Sequence, residues 1–192
     1  MRALRHPAVP AVAAVAAVAA WVVATPVAML LPALAGRSPF SPQGAVLPVA
    51  VGGLLLAAGL AVAVARPARW RSASATDALT GVAAGLLAAW VALALRNSLH
   101  GTPFGFAGLM GDQGRMSAMA TRYTATAAPS DGIVAGVPTE YPPLFPWVVG
   151  RASALLDVHA WRVLGDAQLL TVSGAVLLTF LLWTRLVPPP AA

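Results

Sequence analysis

Only six carboxylates occur in the 192 residues, and five of them, Asp112, Asp131, Glu140, Asp157 and Asp166, fall between positions 112 and 166. Asp112 opens the segment Gly111-Asp-Gln-Gly-Arg-Met-Ser-Ala-Met-Ala-Thr-Arg-Tyr123, which also holds Arg115 and Arg122. A carboxylate can take a proton from a hydroxyl group, and guanidinium groups can hold an anion. Asp112 with Arg115 or Arg122 supplies both parts. Asp131 and Glu140 are secondary candidates, because Pro129-Ser-Asp-Gly132 is an ordinary turn signal and a lone Glu can serve only to solvate a loop. His100, Asp112, Asp131 and Glu140 would offer ligands to a divalent cation, but no regular ligand spacing supports a site. No metal ligand is assigned on this reading, and the need for a cofactor stays open.

The charge distribution identifies the elements that must position these residues. Stretches 8–36, 38–65, 78–95 and 167–184 contain no Asp, Glu, Lys or Arg. Each is apolar and about as long as the roughly 20 residues a helix needs to cross a bilayer. With 59% hydrophobic and 9% charged residues, the chain has too little polar surface for a water-soluble fold. The pattern predicts an all-α integral membrane protein with four transmembrane helices, near 10–34, 45–64, 77–95 and 160–183. It divides into a three-helix membrane segment at 1–95, an extracytoplasmic loop with juxtamembrane helices at 96–159, and a last membrane helix with a cytoplasmic tail at 160–192. The first apolar run is too long for a signal-peptide core, so it reads as a retained helix with prolines at 26 and 32.

Arg66, Arg69 and Arg71 around Trp70 suit the cytoplasmic edge of a membrane, which predicts that both termini, with Arg2, Arg5 and Arg185, are cytoplasmic. The stretch 141–156 is the alternative fifth span. It has three prolines near its start and Arg151 inside, and an Arg at mid-membrane costs about 2.5–3.5 kcal/mol. An interfacial helix with Arg151 among the headgroups is preferred. Met116, Met119, Ala120 and Tyr123 share one helical face and Arg115 and Arg122 another, which reads as a second amphipathic helix, lying on the membrane. In the plainest reading of Asp112, it only caps that helix.

The residues Gly111-Asp112-Gln113, Arg115, Glu140-Tyr141-Pro142-Pro143-Leu144-Phe145-Pro146-Trp147 and Gly150-Arg151 resemble the GT-C polyprenyl-phosphate-sugar glycosyltransferases. Within that superfamily the chain is most similar to the N-terminal membrane portion of the actinobacterial galactan arabinofuranosyltransferases. The resemblance implies a plasma-membrane enzyme taking a sugar from a polyprenyl-phosphate donor to a cell-wall glycan acceptor. It implies Asp112 as general base, with Arg115, Arg122, Glu140, Tyr141 and Arg151 as substrate-binding residues. Members of that family have many more spans than fit here, so the resemblance also implies an N-terminal piece of such an enzyme.

Twelve arginines spread along the chain, without a clustered basic patch, argue against a nucleic-acid partner. Cysteine is absent, which excludes disulfides and thiolate sites. A non-enzymatic membrane subunit is the competing reading, in which small-residue faces at 11–20 and at Gly52-Gly53 would pack against another membrane protein. A coupled transporter is disfavoured, because the spans carry no ionisable groups except near their ends.

Overall fold

The computed structural model describes residues 11–38, 41–65, 72–98, 108–128, 130–134, 136–139 and 141–186. The regular structure of these residues is entirely helical: α1 (Ala11–Leu34), α2 (Val46–Ala65), α3 (Ala73–Ser98), α4 (Gly111–Ala125), α5 (Leu144–Leu156) and α6 (Ala160–Trp183), with a short 3-10 turn at Pro42–Ala45 before α2. Four helices, α1, α2 with its leading turn, α3 and α6, are long and apolar enough to cross a membrane, as the charge-free stretches predict. At 1.5 Å per residue, the 24 residues of α1 or α6 extend about 36 Å, enough for the roughly 30 Å hydrocarbon core. The 13 residues of α5 extend only about 20 Å, so length rules out the fifth span. α1 continues through both Pro26 and Pro32. It ends where Gly36, at φ 64°, lets Arg37 N–H reach Pro32 O at 2.8 Å.

Contacts divide the chain into two units, Met1–Asn97 with Thr171–Ala192, and Ser98–Leu170. In the first unit the interfaces are built from small residues. A methyl group on Gly81 would come within 2.2 Å of Ala13 O, and one on Gly85 within 2.3 Å of Ala17 O. Inside a bilayer the hydrophobic effect does not drive helices together, so close backbone approach and hydrogen bonds must do so. The Trp21 indole of α1 donates to Ser173 Oγ of α6 at 2.7 Å, and Ser173 donates onward to Ala88 O of α3 at 2.7 Å. On α2, Trp90 of α3 lies over Gly52 and donates to Pro48 O at 2.7 Å. Ala13, Ala17 and Gly52 thus serve packing within this chain, whereas Gly53 faces open space. The Gly81–Gly85 pair on α3 was not singled out from sequence, although its four-residue spacing carries the signal.

In the second unit α4 and α5 pack against each other and against the first turns of α6 around Ala120, Val149, Ala160 and Leu164. A methyl group on Gly150 would lie 2.4 Å from Ala120 O, so the two helices are nearly in backbone contact. The apolar face of α4 is therefore covered by protein and not presented to lipid as the amphipathic pattern suggests: Met119, Ala120 and Tyr123 are fully buried, Ala120 among Val149, Ala160 and Leu164, Tyr123 beside Gly150, and Met119 beside Thr139 and Gly132. Amphipathicity alone does not distinguish a lipid surface from a protein one.

Gly85→Leu is expected to destabilise the first unit by about 1–3 kcal/mol or more, because α1 would have to move away from α3. Gly53→Leu is expected to leave stability unchanged, because nothing lies within 4 Å of its added carbon. Unfolding in mixed micelles followed by circular dichroism measures both.

Candidate active site

α4 starts at Gly111 behind Met110, and no side chain caps its first turn. Two glycines with positive φ, Gly108 and Gly111, turn the chain into the helix. This leaves Asp112 inside the first turn with its carboxylate exposed, where the free N–H groups of the helix end favour negative charge. Asp112 does not cap the helix; its Oδ1 accepts a hydrogen bond from the Tyr141 hydroxyl. The guanidinium of Arg115, one turn further along α4, lies over the Tyr141 ring at 5.1 Å from its centroid. Asp112, Arg115 and Tyr141 thus form one constellation of carboxylate, phenol and cation.

Two amides fix this constellation from behind. Gln168 of α6 donates to Gln113 Oε1 at 2.8 Å, and Gln113 donates back at 3.2 Å. Gln113 adjoins Asp112, so the pair ties the start of α4 to α6. Tyr141 is placed by Thr139, whose hydroxyl donates to Tyr141 O at 2.9 Å and accepts Tyr141 N–H at 3.2 Å.

The other expected site residues lie elsewhere. Arg122 is ten residues beyond Asp112, which is about 15 Å along a helix, and its Nε donates to Ser130 Oγ. Arg151 donates from Nη1 to Tyr123 O at 3.1 Å and Thr124 O at 3.4 Å, satisfying carbonyls at the end of α4. Glu140 and His100 lie outside the described residues. Among the described residues no three His, Asp or Glu side chains converge on a metal position.

Asp131 is buried and serves the loop that returns from α4. Its Oδ1 accepts Ile133 N–H at 2.8 Å and Val134 N–H at 2.9 Å, and its own N–H donates to Val137 O at 2.9 Å. The Val134 and Ile133 N–H groups hold the carboxyl below its ordinary range, Arg115 and Arg122 act in the same direction, and burial opposes them. A carboxylate held ionised in this way is a poor proton acceptor. The neighbouring Gly132 lies so close to α4 that a methyl group would be 2.4 Å from Met119 N.

The family described as Arabinofuranosyltransferase N terminal matches residues 8–192. The chain belongs to this family. Curated relatives carry the name galactan 5-O-arabinofuranosyltransferase. That of Mycobacterium tuberculosis is 32% identical over 102 residues, covering 53% of this chain and 16% of the relative. That of Mycobacterium leprae is 30% identical over 101 residues, again 53% and 16%. That of Mycolicibacterium smegmatis is 29% identical over 118 residues, 62% of this chain and 19% of the relative. The chain thus matches less than a fifth of the length of these arabinofuranosyltransferases. No solved structure matches it. Family membership accords with the four membrane helices and makes this a multi-pass membrane protein of a glycosyltransferase family.

Because the Asp131 carboxyl is lowered in the fold, its contribution to stability is present above the ordinary carboxylate pKa of about 3.9 and is lost as pH falls through the depressed folded value. Asp131→Asn is expected to be less stable than the wild type at neutral pH, with the gap closing as pH is lowered through the carboxylate range. Melting temperatures of both proteins measured across that range test the assignment, and a gap independent of pH contradicts it.

Proposed function

We propose that the chain forms the N-terminal membrane portion of an enzyme that transfers arabinofuranose from a polyprenyl-phosphate donor to a cell-wall galactan. The names of the relatives support the sugar and acceptor, and the constellation at the start of α4 supports the chemistry. In this reading Asp112 takes the proton from an acceptor hydroxyl as that oxygen attacks the anomeric carbon of the donor sugar. The bond from that carbon to the phosphate oxygen breaks, and the lipid phosphate leaves with the bonding pair. Arg115 offsets the charge on the departing phosphate. The Tyr141 hydroxyl holds the carboxylate in one orientation between turnovers and stays beside it as substrate enters. The observation that carries the reading is an exposed carboxylate held by a tyrosine and flanked by an arginine, on a unit whose chain enters and leaves through membrane helices.

The same reading puts both termini in the cytoplasm and the α4–α5 unit on the outer side of the plasma membrane, where the headgroup of a lipid-linked donor meets a cell-wall acceptor. The match to less than a fifth of each curated relative supports reading this chain as one portion of such an enzyme.

Asp112→Asn is expected to lower transfer by about 10²–10⁴-fold while membrane insertion and yield stay unchanged. The assay follows radiolabelled arabinose from polyprenyl-phosphate donor to galactan in membranes of cells expressing the protein, and retained transfer excludes Asp112 as the base. The absence of native cysteine makes the topology directly testable. A cysteine introduced at Ser130 is expected to react with a membrane-impermeant maleimide in intact cells, and one introduced at Ser72 only after the cells are opened.

A further inference from the structure

The face of α4 turned away from α5 opens on a groove of about 650 Å³, lined by Gly114, Ser117, Ala118, Thr121, Arg122 and Gly132. Its size is within the roughly 300–1,000 Å³ of small-ligand sites. Leu109 O packs against Gly114, where a methyl group would lie 2.4 Å from it, and the small Ala118 one turn further on leaves a shelf that ends at Gly132. The chemistry of its lining is mixed. Thr121 spends its hydroxyl proton on Ser117 O at 2.8 Å, so its lone pairs are left to accept. Ser130 fixes only Nε of Arg122, so the terminal amino groups supply donors. Arg122 is the one charged side chain in the described lining. A groove that offers hydroxyl acceptors beside these donors suits a polyhydroxylated chain, which both gives and takes hydrogen bonds, better than a phosphate, whose oxygens mainly accept.

Its position gives it a direction. The groove starts at Leu109 and Gly114, which flank Asp112 in the chain, and runs along α4 to Arg122, eight residues or about 12 Å beyond Gly114. A donor sugar with one phosphate needs only a compact site beside Asp112, whereas a polymer needs a track leading away from it. We propose that this groove is the acceptor track, which holds the part of the glycan chain that lies beyond the reacting sugar and so selects long acceptors over short ones. The inference rests on Asp112 marking the reacting end.

The test uses the protein in lipid nanodiscs with a galactan disaccharide and octasaccharide as probes, their affinities measured by saturation-transfer NMR. The octasaccharide is expected to bind about tenfold tighter than the disaccharide, the order of one or two added hydrogen bonds. Thr121→Val, which removes an acceptor from an exposed site, and Ala118→Leu, which fills the shelf, are each expected to bring the octasaccharide down to the affinity of the disaccharide and leave the disaccharide unchanged. Unaltered melting temperatures exclude a folding defect, and a variant that melts lower is replaced by Thr121→Ala. Equal affinities for the two probes, or an octasaccharide affinity untouched by these variants, overturn the proposal, as does loss of inorganic phosphate binding in place of oligosaccharide binding. Asp112→Asn is expected to retain the length preference. A variant that transfers normally sinks the base assignment without affecting these binding results, so the two readings fail separately.

Discussion

The near-contact of α4 and α5 at Gly150 is the constraint on which the second unit depends. Gly150 lies against Ala120 O and Tyr123, and Arg151 donates to Tyr123 O and Thr124 O, so α4 and α5 meet where these residues cross. Trp147, in the first turn of α5, donates to Ala127 O just beyond the end of α4 at 3.2 Å. Between the helices Asp131, Gly132 and Thr139 hold the chain against its own backbone and against α4. Thr139 in turn places Tyr141, which reaches Asp112. A larger residue at 150 would separate the helices and the constellation together.

The membrane helices of the first unit meet the same problem in another solvent. Lipid offers apolar side chains as good an environment as protein does, so Leu54, Leu56 and Leu60 of α2 remain exposed at no cost. What joins the helices is geometry and hydrogen bonding. Gly81 and Gly85 admit the backbone of α1, and the Trp21, Ser173 and Ala88 series links α1, α6 and α3. Each polar group in that series finds its partner inside the unit, as a low-dielectric surround requires.

The sequence makes the spans legible because length and the absence of charge are local properties, and the bilayer imposes both. Asp112 and Arg115 were legible for a similar reason, being one turn apart on one helix. Arg122 was grouped with them, although ten residues along a helix place it about 15 Å away. An arginine in an apolar stretch suggests lipid phosphate; the carbonyls that Arg151 meets, Tyr123 O and Thr124 O, belong to another helix, and nothing in the local sequence announces them. Gln168 is missed on the same physical ground, since it matters only through a partner distant in the chain, and the close approach at Gly150 is hidden for the same reason. Asp112 is not the cap because the chain, turned at Gly108 and Gly111 with positive φ, starts the helix two residues earlier than a cap at 112 would.

In the proposed transfer Asp112 and Tyr141 act as one unit. A double-mutant cycle on the transfer rate, with Asp112→Asn, Tyr141→Phe and the combined variant, measures this most directly. Groups that work together are strongly non-additive, so the account predicts that Tyr141→Phe lowers the wild-type rate but costs nothing further once Asp112 is gone. Losses that simply multiply would contradict it, because Tyr141 would then act independently of the carboxylate it touches.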